Sequence, residues 1–293
     1  MVLIVALSFS TSKASKDDAC MMHQTFFEHP TEPDLAFDFQ SILDNITKNT
    51  KAIVITHIGG FINPQINELV DYCRDNNIYL IEDCAHAHGS SLKGKKAGTF
   101  GVAGAFSLFS TKVMTCGEGG IVTTSSKNFC EKMKLIRDHG QHADNVINSI
   151  GYNFRMSEIH ALIAISQLQK LDTMIAERTQ IESRYDLELN KLKSFERIQQ
   201  HSEVSSSLYK YTLLASPTID VQRLYATAKA EFGIALAGRT YPIPCHEQLI
   251  FKDKSQQDLK RSEDLSKRIV CLPIYPGLKD QEIERVITFL SSF

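Results

Sequence analysis

The chain has 293 residues, of which 43% are hydrophobic and 23% charged, as expected of a folded globular protein with one or two domains. A net charge of −2 without a basic run gives no basis for nucleic-acid binding, and no apolar stretch approaches the ~20 residues of a membrane span. The seven cysteines are scattered and include no CxxC pair, which favours a reducing cytoplasm over a disulfide framework or a structural zinc site.

A first strand is predicted at the start of the chain, where Met1–Leu7 reads MVLIVAL. This run faintly imitates a signal peptide, but it is short and has no positively charged segment before it, so a buried strand is the better interpretation. Thr25–Phe27 fits a short edge strand, and apolar residues at helical spacing predict a helix over Asp38–Ile46. A second buried strand follows at Ala52–Thr56.

A strand–helix–strand unit is predicted from the second strand onward. Asn63 and Pro64 suit the cap and the first position of a helix. The apolar face of this helix is formed by Ile66, Leu69, Val70 and Cys73. After Asn76 and Asn77 the chain enters a third strand, Ile78–Ile81, and two strands joined in this way form a right-handed parallel crossover.

Two chemically suited side chains follow strands of this predicted sheet. The third strand ends in the carboxylates Glu82 and Asp83, and a further apolar run, Ala105–Phe109, precedes Lys112 and a glycine cluster. Because ligands of α/β sheets bind beyond the carboxyl ends of the strands, Asp83 and Lys112 are placed to converge on one molecule. Pyridoxal phosphate chemistry needs such an amine and carboxylate. A turn aspartate and a surface lysine are the alternative on spacing alone.

The rest of the chain is predicted to be mostly helical. Ile121–Thr124 is a strand, Lys127–Asp138 a helix, and Met156–Leu192 one long or broken helix of the kind that links domains or packs a dimer. The later elements are the strand Leu208–Leu214 and helices at Val221–Phe232, Leu259–Ile269 and Lys279–Leu290. We predict an α/β fold with a large domain over 1–170 and a smaller α+β domain over 171–293.

Three longer segments resemble one known family. They read IEDCAHAHGSSLKGKKAGTFG from Ile81, AFSLFSTKVMTCGEGGIVTT from Ala105 and GYNFRMSEIHALIAISQLQKLD from Gly151. All three resemble the DegT/StrS-like sugar aminotransferases, a branch of the fold-type I pyridoxal phosphate enzymes, and the likeness runs from about Val2 to the C-terminus. It implies a mostly parallel sheet flanked by helices, pyridoxal 5′-phosphate as cofactor, and a homodimer with active sites between the subunits.

The resemblance also implies roles for single residues. Lys112 is implied to bind the cofactor aldehyde covalently and then to move a proton between substrate and cofactor, and Asp83 to pair with the pyridine nitrogen. The remaining implied cofactor contacts are Phe9, His86, Ser107 and Asn153, and the implied substrate contacts are Arg155, Tyr241 and His246. Asn153 and Arg155 are implied to reach across the dimer interface. Each of these weaker assignments has an ordinary alternative, such as a core side chain or a surface ion pair.

The implied reaction is a transamination. An amino-acid donor, implied to be L-glutamate, supplies an amino group for a keto carbon of a nucleotide-linked keto-deoxy sugar, which then enters lipopolysaccharide, capsule or glycan assembly. A histidine in place of Lys112 would have indicated the dehydratases of the family. The chain begins after the arm and helix that grip the phosphate in relatives, so a fragment, a mis-started reading frame or a truncated paralogue is expected. A degenerate member acting through binding or dimerisation is the second hypothesis.

Overall fold

The computed structural model describes residues 2–5, 35, 37–141, 146–198, 200–239, 242–244, 247–249 and 260–293. The strands are β1 (Val2–Val5), β2 (Thr50–Thr56), β3 (Tyr79–Asp83), β4 (Ser91–Leu92), β5 (Lys95–Lys96), β6 (Ala103–Ser107), β7 (Gly120–Thr123), β8 (Phe195–Arg197), β9 (Val204–Ser205), β10 (Tyr211–Ala215) and β11 (Ile269–Leu272). The helices are α1 (Phe39–Asp44), α2 (Ile66–Asp75), α3 (Lys127–Arg137), α4 (Glu158–Leu168), α5 (Leu171–Leu189), α6 (Val221–Phe232), α7 (Lys260–Arg268) and α8 (Asp280–Leu290).

The main sheet has five strands in the order β1-β2-β3-β6-β7. The first four are parallel, and β7 pairs antiparallel with β6 at one edge. The helix α2 makes the crossover from β2 to β3 and buries Ile66, Leu69 and Cys73 against the sheet. The predicted mostly parallel sheet with flanking helices is therefore confirmed.

The predicted start of α2 was wrong by two residues. Asn63 does not cap the helix: its side-chain oxygen accepts a hydrogen bond from the Gln65 N–H at 2.7 Å, inside a turn that comes before the helix. The Ile66 N–H also bonds back to the Asn63 carbonyl at 3.0 Å. Asparagine and proline favour such a turn as well as a helix start, and here the turn is the structure adopted.

The long helical stretch is broken. It forms α4 and α5, which are separated by Gln169 and Lys170. On α5 the predicted apolar residue Leu171 is buried. On α4, however, Ile159 and Leu162 are 72% and 68% exposed. An apolar face of α4 therefore lies at the surface of the single chain, which is unusual for a folded protein.

A second unit is built around the antiparallel sheet β11-β10-β8. Its core holds the fully buried side chains of Tyr185, Tyr211 and Phe289, with α5, α6 and α8 packed around them. Sheet β5-β4-β9 joins the two halves of the chain, because β4 pairs with β9. The domain boundary at residue 170 stays a prediction. Every helix in the described part of the chain is too short or too polar to cross a membrane.

Close packing at Gly104 of β6 gives a first testable prediction. A Cβ atom at Gly104 would overlap the Gly98 Cα atom and lie 2.9 Å from the Thr123 hydroxyl. Since backbone at a sheet cannot move aside easily, Gly104→Ala should lower the free energy of unfolding by ~1–3 kcal/mol. Gly238→Ala is the control, because a Cβ there meets no atom within 4 Å. Equal urea-unfolding midpoints for the two variants would contradict the packing.

Candidate active site

Strands β2, β3 and β6 end side by side at one edge of the main sheet. Thr56 lies opposite Asp83, and Asp83 lies opposite Ala105. The His57 N–H donates to the Asp83 carbonyl at 3.0 Å, and the Cys84 N–H donates to the Ala105 carbonyl at 2.8 Å. These bonds hold the backbone on both sides of Asp83 at the carboxyl edge, where α/β proteins bind ligands.

Asp83 is buried, with 7% of its surface exposed. One of its carboxylate oxygens accepts a hydrogen bond from the Ala85 N–H at 2.9 Å, which fixes the orientation of the side chain. Burial lowers the pKa of the Lys112 amine, and the negative charge of Asp83 acts on that amine in the opposite direction. The structure thus brings together the carboxylate and the amine that the sequence predicts.

Lys112 lies in the loop between β6 and β7 and is half-buried. The backbone N–H of Lys112 donates to the Phe109 carbonyl at 3.0 Å, and the backbone N–H of Cys116 donates to the Leu108 carbonyl at 3.0 Å. The apolar residues that anchor this loop to α4 and α5 are Leu108, Val113, Met114, Cys116, Ala164 and Leu171. Burial lowers the pKa of Lys112. The negative charge of Asp83 acts to raise this pKa, and the positive charge of Lys210 lowers it further. The amine is therefore less basic than that of a free lysine, which favours its nucleophilic form.

A stacked aromatic pair lies next to Lys112. The rings of His86 and Tyr209 are 4.2 Å apart and tilted by 19°. The Lys112 Nζ lies 5.2 Å from the centre of the Tyr209 ring. Burial, followed by the charges of Lys112 and Lys210, lowers the pKa of His86 well below 6.5. His86 is therefore neutral at physiological pH, and its Nδ1 accepts from the Gly59 N–H at 3.3 Å.

Ser107 and His88 lie at the same edge. The Ser107 hydroxyl oxygen accepts from the Phe109 N–H at 3.3 Å, which leaves its own O–H to donate. His88 is 3% exposed, and neither ring nitrogen has a hydrogen-bond partner among the described residues. Burial lowers the pKa of His88 to about 4. The nearby Ser107 backbone acts to raise this pKa, although its geometry does not make a hydrogen bond to the ring. The Ser107 O–H can therefore donate to a ligand, and its predicted role in binding the cofactor stays a prediction.

Asn153 and Arg155 lie on an exposed loop after α3. Asn153 forms a backbone bridge with Asp138, and the Arg155 guanidinium donates to the Asp138 carboxylate at 2.7 Å. None of the contacts within the described residues joins either side chain to Lys112, so their role across a dimer interface stays a prediction. The other predicted contacts, Phe9, Tyr241 and His246, lie outside the described residues.

His57, Glu82 and Cys84 bring ligand-type atoms within 4.8 Å of one another, but they do not suit a metal ion. Both Glu82 oxygens already accept hydrogen bonds, from His57 and from backbone N–H groups of loop 98–101. Burial raises the pKa of the Cys84 thiol far above its usual value, so the thiolate that a metal would need is strongly disfavoured. The cluster is structural.

The side chains around Lys112 fit pyridoxal 5′-phosphate. A half-buried amine of lowered pKa suits the aldehyde, and the buried Asp83 carboxylate suits a protonated ring nitrogen. The stacked rings of His86 and Tyr209 lie next to the amine and would offer a flat surface to a planar cofactor ring. Tyr209 was not predicted as a site residue from the sequence.

Comparison with known proteins identifies the family of the chain. Residues 2–291 match the model of the DegT/DnrJ/EryC1/StrS aminotransferase family. GDP-perosamine synthase from Escherichia coli O157:H7 is 31% identical over 260 residues, which cover 86% of this chain and 68% of the relative.

Solved structures share the fold. The aminotransferase PseC of Helicobacter pylori, involved in pseudaminic acid biosynthesis, matches with a TM-score of 0.87 at 23% identity over 99% of this chain and 78% of that one. Spr1654 from Streptococcus pneumoniae in its PLP form matches with a TM-score of 0.84 at 21% identity over 99% and 80%. Because the family model matches residues 2–291 and a curated relative is 31% identical, the chain belongs to the DegT/DnrJ/EryC1/StrS family of pyridoxal phosphate-dependent sugar aminotransferases.

Proposed function

We propose that the protein transfers an amino group from L-glutamate to a keto carbon of a nucleotide-linked keto-deoxy sugar, for surface polysaccharide or glycan biosynthesis. The observation that carries the proposal is the Lys112 amine, which is half-buried and beside the buried Asp83 carboxylate. The names of curated relatives, such as the GDP-perosamine synthase, support a nucleotide-linked sugar as the substrate class.

When bound, pyridoxal phosphate supplies an aldehyde that condenses with amines and a ring that accepts electrons. Lys112 has two tasks in this chemistry. Its neutral amine would hold the cofactor by condensing with the aldehyde, with release of water. Once freed by the donor's amine, it would act as the base that takes the proton from the donor carbon that carries nitrogen, and it would return a proton to the sugar carbon in the second half of the reaction. Burial favours the neutral form that both tasks need.

The other residues hold the reacting groups in place. The Asp83 carboxylate, fixed by the Ala85 N–H, stabilises positive charge at the ring nitrogen. Neutral His86, stacked on Tyr209, adds no charge that would compete with it. The Ser107 O–H can donate to an anionic group such as the phosphate.

A homodimer with shared sites is part of the proposal. The exposed apolar residues of α4, Ile159 and Leu162 among them, supply a surface that a second subunit can cover. Tyr152 and Phe154, 53% and 66% exposed and stacked 4.9 Å apart, flank Asn153 on the loop proposed to reach the partner's site. A cytoplasmic location is proposed with it, because Cys73, Cys84, Cys116 and Cys130 are free thiols.

Cofactor uptake and half-reactions test this function. We expect the purified protein to gain an absorbance band near the visible edge with pyridoxal phosphate, and borohydride to fix the cofactor's mass on the Lys112 peptide. L-glutamate should then discharge the band and release 2-oxoglutarate, and a nucleotide-linked 4-keto-6-deoxy sugar should restore it. A folded protein that takes up no cofactor would contradict the proposal and favour the non-catalytic alternative.

A further inference from the structure

A second lysine shares the aromatic ring that lies next to Lys112. The Lys210 Nζ is 5.2 Å from the centre of the Tyr209 ring, the same distance as the Lys112 Nζ. The two ammonium groups are therefore no farther apart than twice that distance, which is close enough for appreciable repulsion in a partly buried site.

Lys210 is held firmly, and its charge is not cancelled by its hydrogen bond. Its Nζ donates to the Gly238 carbonyl at 2.6 Å, a neutral acceptor. The next residue, Tyr211, begins β10, where it pairs with Leu272. On the other side Leu208 adopts a left-handed φ of 51°, which the Ser206 hydroxyl supports by accepting the Leu208 N–H at 3.0 Å. The short segment that presents Tyr209 and Lys210 is therefore fixed at both ends.

Within the part of the chain that the structure describes, five titratable groups act on the two amines or lie near them. Asp83 is the carboxylate that acts on Lys112, and His86, stacked on Tyr209, is neutral. His88 is also neutral at physiological pH. The thiol of Cys271 is the group that opposes the effect of burial on Lys210. Among the described residues, one negative charge, that of Asp83, and one positive charge, that of Lys210, thus act on Lys112.

We propose that Lys210 is a positioning residue for the aminotransfer chemistry, in that its fixed positive charge over Tyr209 keeps the Lys112 amine in its neutral, reactive form. Burial alone would also disfavour the charged amine, but Asp83 counteracts burial. Lys210 offsets Asp83, so that the carboxylate can serve the ring nitrogen without making Lys112 too basic. This role rests on the proposed function, whereas the effect of the charge on Lys112 is measurable without cofactor.

The test is competitive acetylation of the cofactor-free protein from pH ~6 to ~11, read by mass spectrometry of the Lys112 peptide. In Lys210→Met, which keeps most of the apolar stem, we expect the titration midpoint of Lys112 to rise by ~0.5–1 pH unit. Lys210→Arg keeps the charge and should leave the midpoint near that of the unmodified sequence. Lys132, exposed on α3, is the internal control and should titrate identically in all three proteins.

An unchanged Lys112 midpoint in Lys210→Met would overturn the proposal, and equal shifts in the methionine and arginine variants would show a packing effect instead. The pH dependence of the cofactor's visible band provides the second readout. If the titration midpoint of Lys112 moves but the protein takes up no cofactor, the proposed function fails, and so does the role of Lys210 in it. The effect of the Lys210 charge on the Lys112 amine would then still hold. If cofactor binds and the midpoint does not move, only the role of Lys210 is rejected.

Discussion

Replacing Lys112 with alanine is expected to reduce the rate of amino transfer by at least ~10³-fold, because the variant loses both the covalent link to the cofactor and the group that moves the proton. The visible band should be absent, and borohydride should fix no cofactor to the chain. On the purified protein, the rate of amino transfer is measured by a fixed-time assay of the 2-oxoglutarate released, and the visible band by absorbance.

Lys132→Ala is the matched control, since Lys132 is an exposed lysine on α3, away from the carboxyl edge of the sheet. It should keep the band and the rate. The free energy of unfolding of Lys112→Ala should lie within ~1 kcal/mol of that of the unmodified protein, because a half-buried lysine side chain contributes little to the stability of the fold. A folded Lys112→Ala protein that still transfers amino groups at a comparable rate would rule out Lys112 as the reacting amine.

The convergence of Asp83 and Lys112 could be predicted because it depends on local patterns. Each residue follows a short apolar strand, and parallel strands present their carboxyl ends at the same edge. The structure confirms that β3 and β6 are neighbours, with Asp83 opposite Ala105. The helix α6 was predicted with its observed bounds, Val221–Phe232, since Asp220 caps its start and Gly233 ends it in the left-handed conformation.

Tyr209 and Lys210 were missed because their approach to Lys112 depends on long-range packing. The segment was predicted as a strand from Leu208, but the positive φ of Leu208 delays the strand to Tyr211 and turns Tyr209 toward His86. Leucine gives no sequence signal for that conformation. A lysine within an otherwise apolar run was the available hint, since a charged residue is rarely placed there without a partner or a function.

The buried carboxylate of Glu82 gives the largest expected effect on stability. Glu82 has no exposed surface, and four donors share its two oxygens. One oxygen lies 3.0 Å from the His57 Nε2 and accepts from the Gly98 N–H at 2.7 Å, and the other accepts from Phe100 and Gly101 at 2.7 and 2.8 Å. Through these bonds Glu82 ties the loop 98–101 to the strand that carries Asp83.

Glu82→Gln should lower the free energy of unfolding by ~3–5 kcal/mol at neutral pH. The amide nitrogen of glutamine cannot accept a hydrogen bond, so at least one buried donor loses its partner, and the charge that attracts the others is gone. Urea unfolding measures the change, and Glu196→Gln, at an exposed position of β8, should leave the midpoint almost unchanged. A Glu82→Gln protein as stable as this control would show that the carboxylate is not needed to hold the loop.

The contribution of the Glu82 charge can be measured by comparing the unfolding free energies of the unmodified protein and Glu82→Gln at several pH values. Burial acts to raise the pKa of this carboxyl, but the hydrogen bond and charge of His57 and the N–H groups of Gly101 and Gly98 outweigh it, and the pKa lies below its usual value. A carboxyl with a depressed pKa in the folded state stabilises the fold above its unfolded pKa of ~4.3, and this stabilisation is lost as the pH falls through the folded value. The difference in the free energy of unfolding between the unmodified protein and Glu82→Gln should therefore be largest at neutral pH, and it should decrease only below pH ~4. A difference that stays constant from neutral to acid pH would show that the negative charge of Glu82 is not its cause.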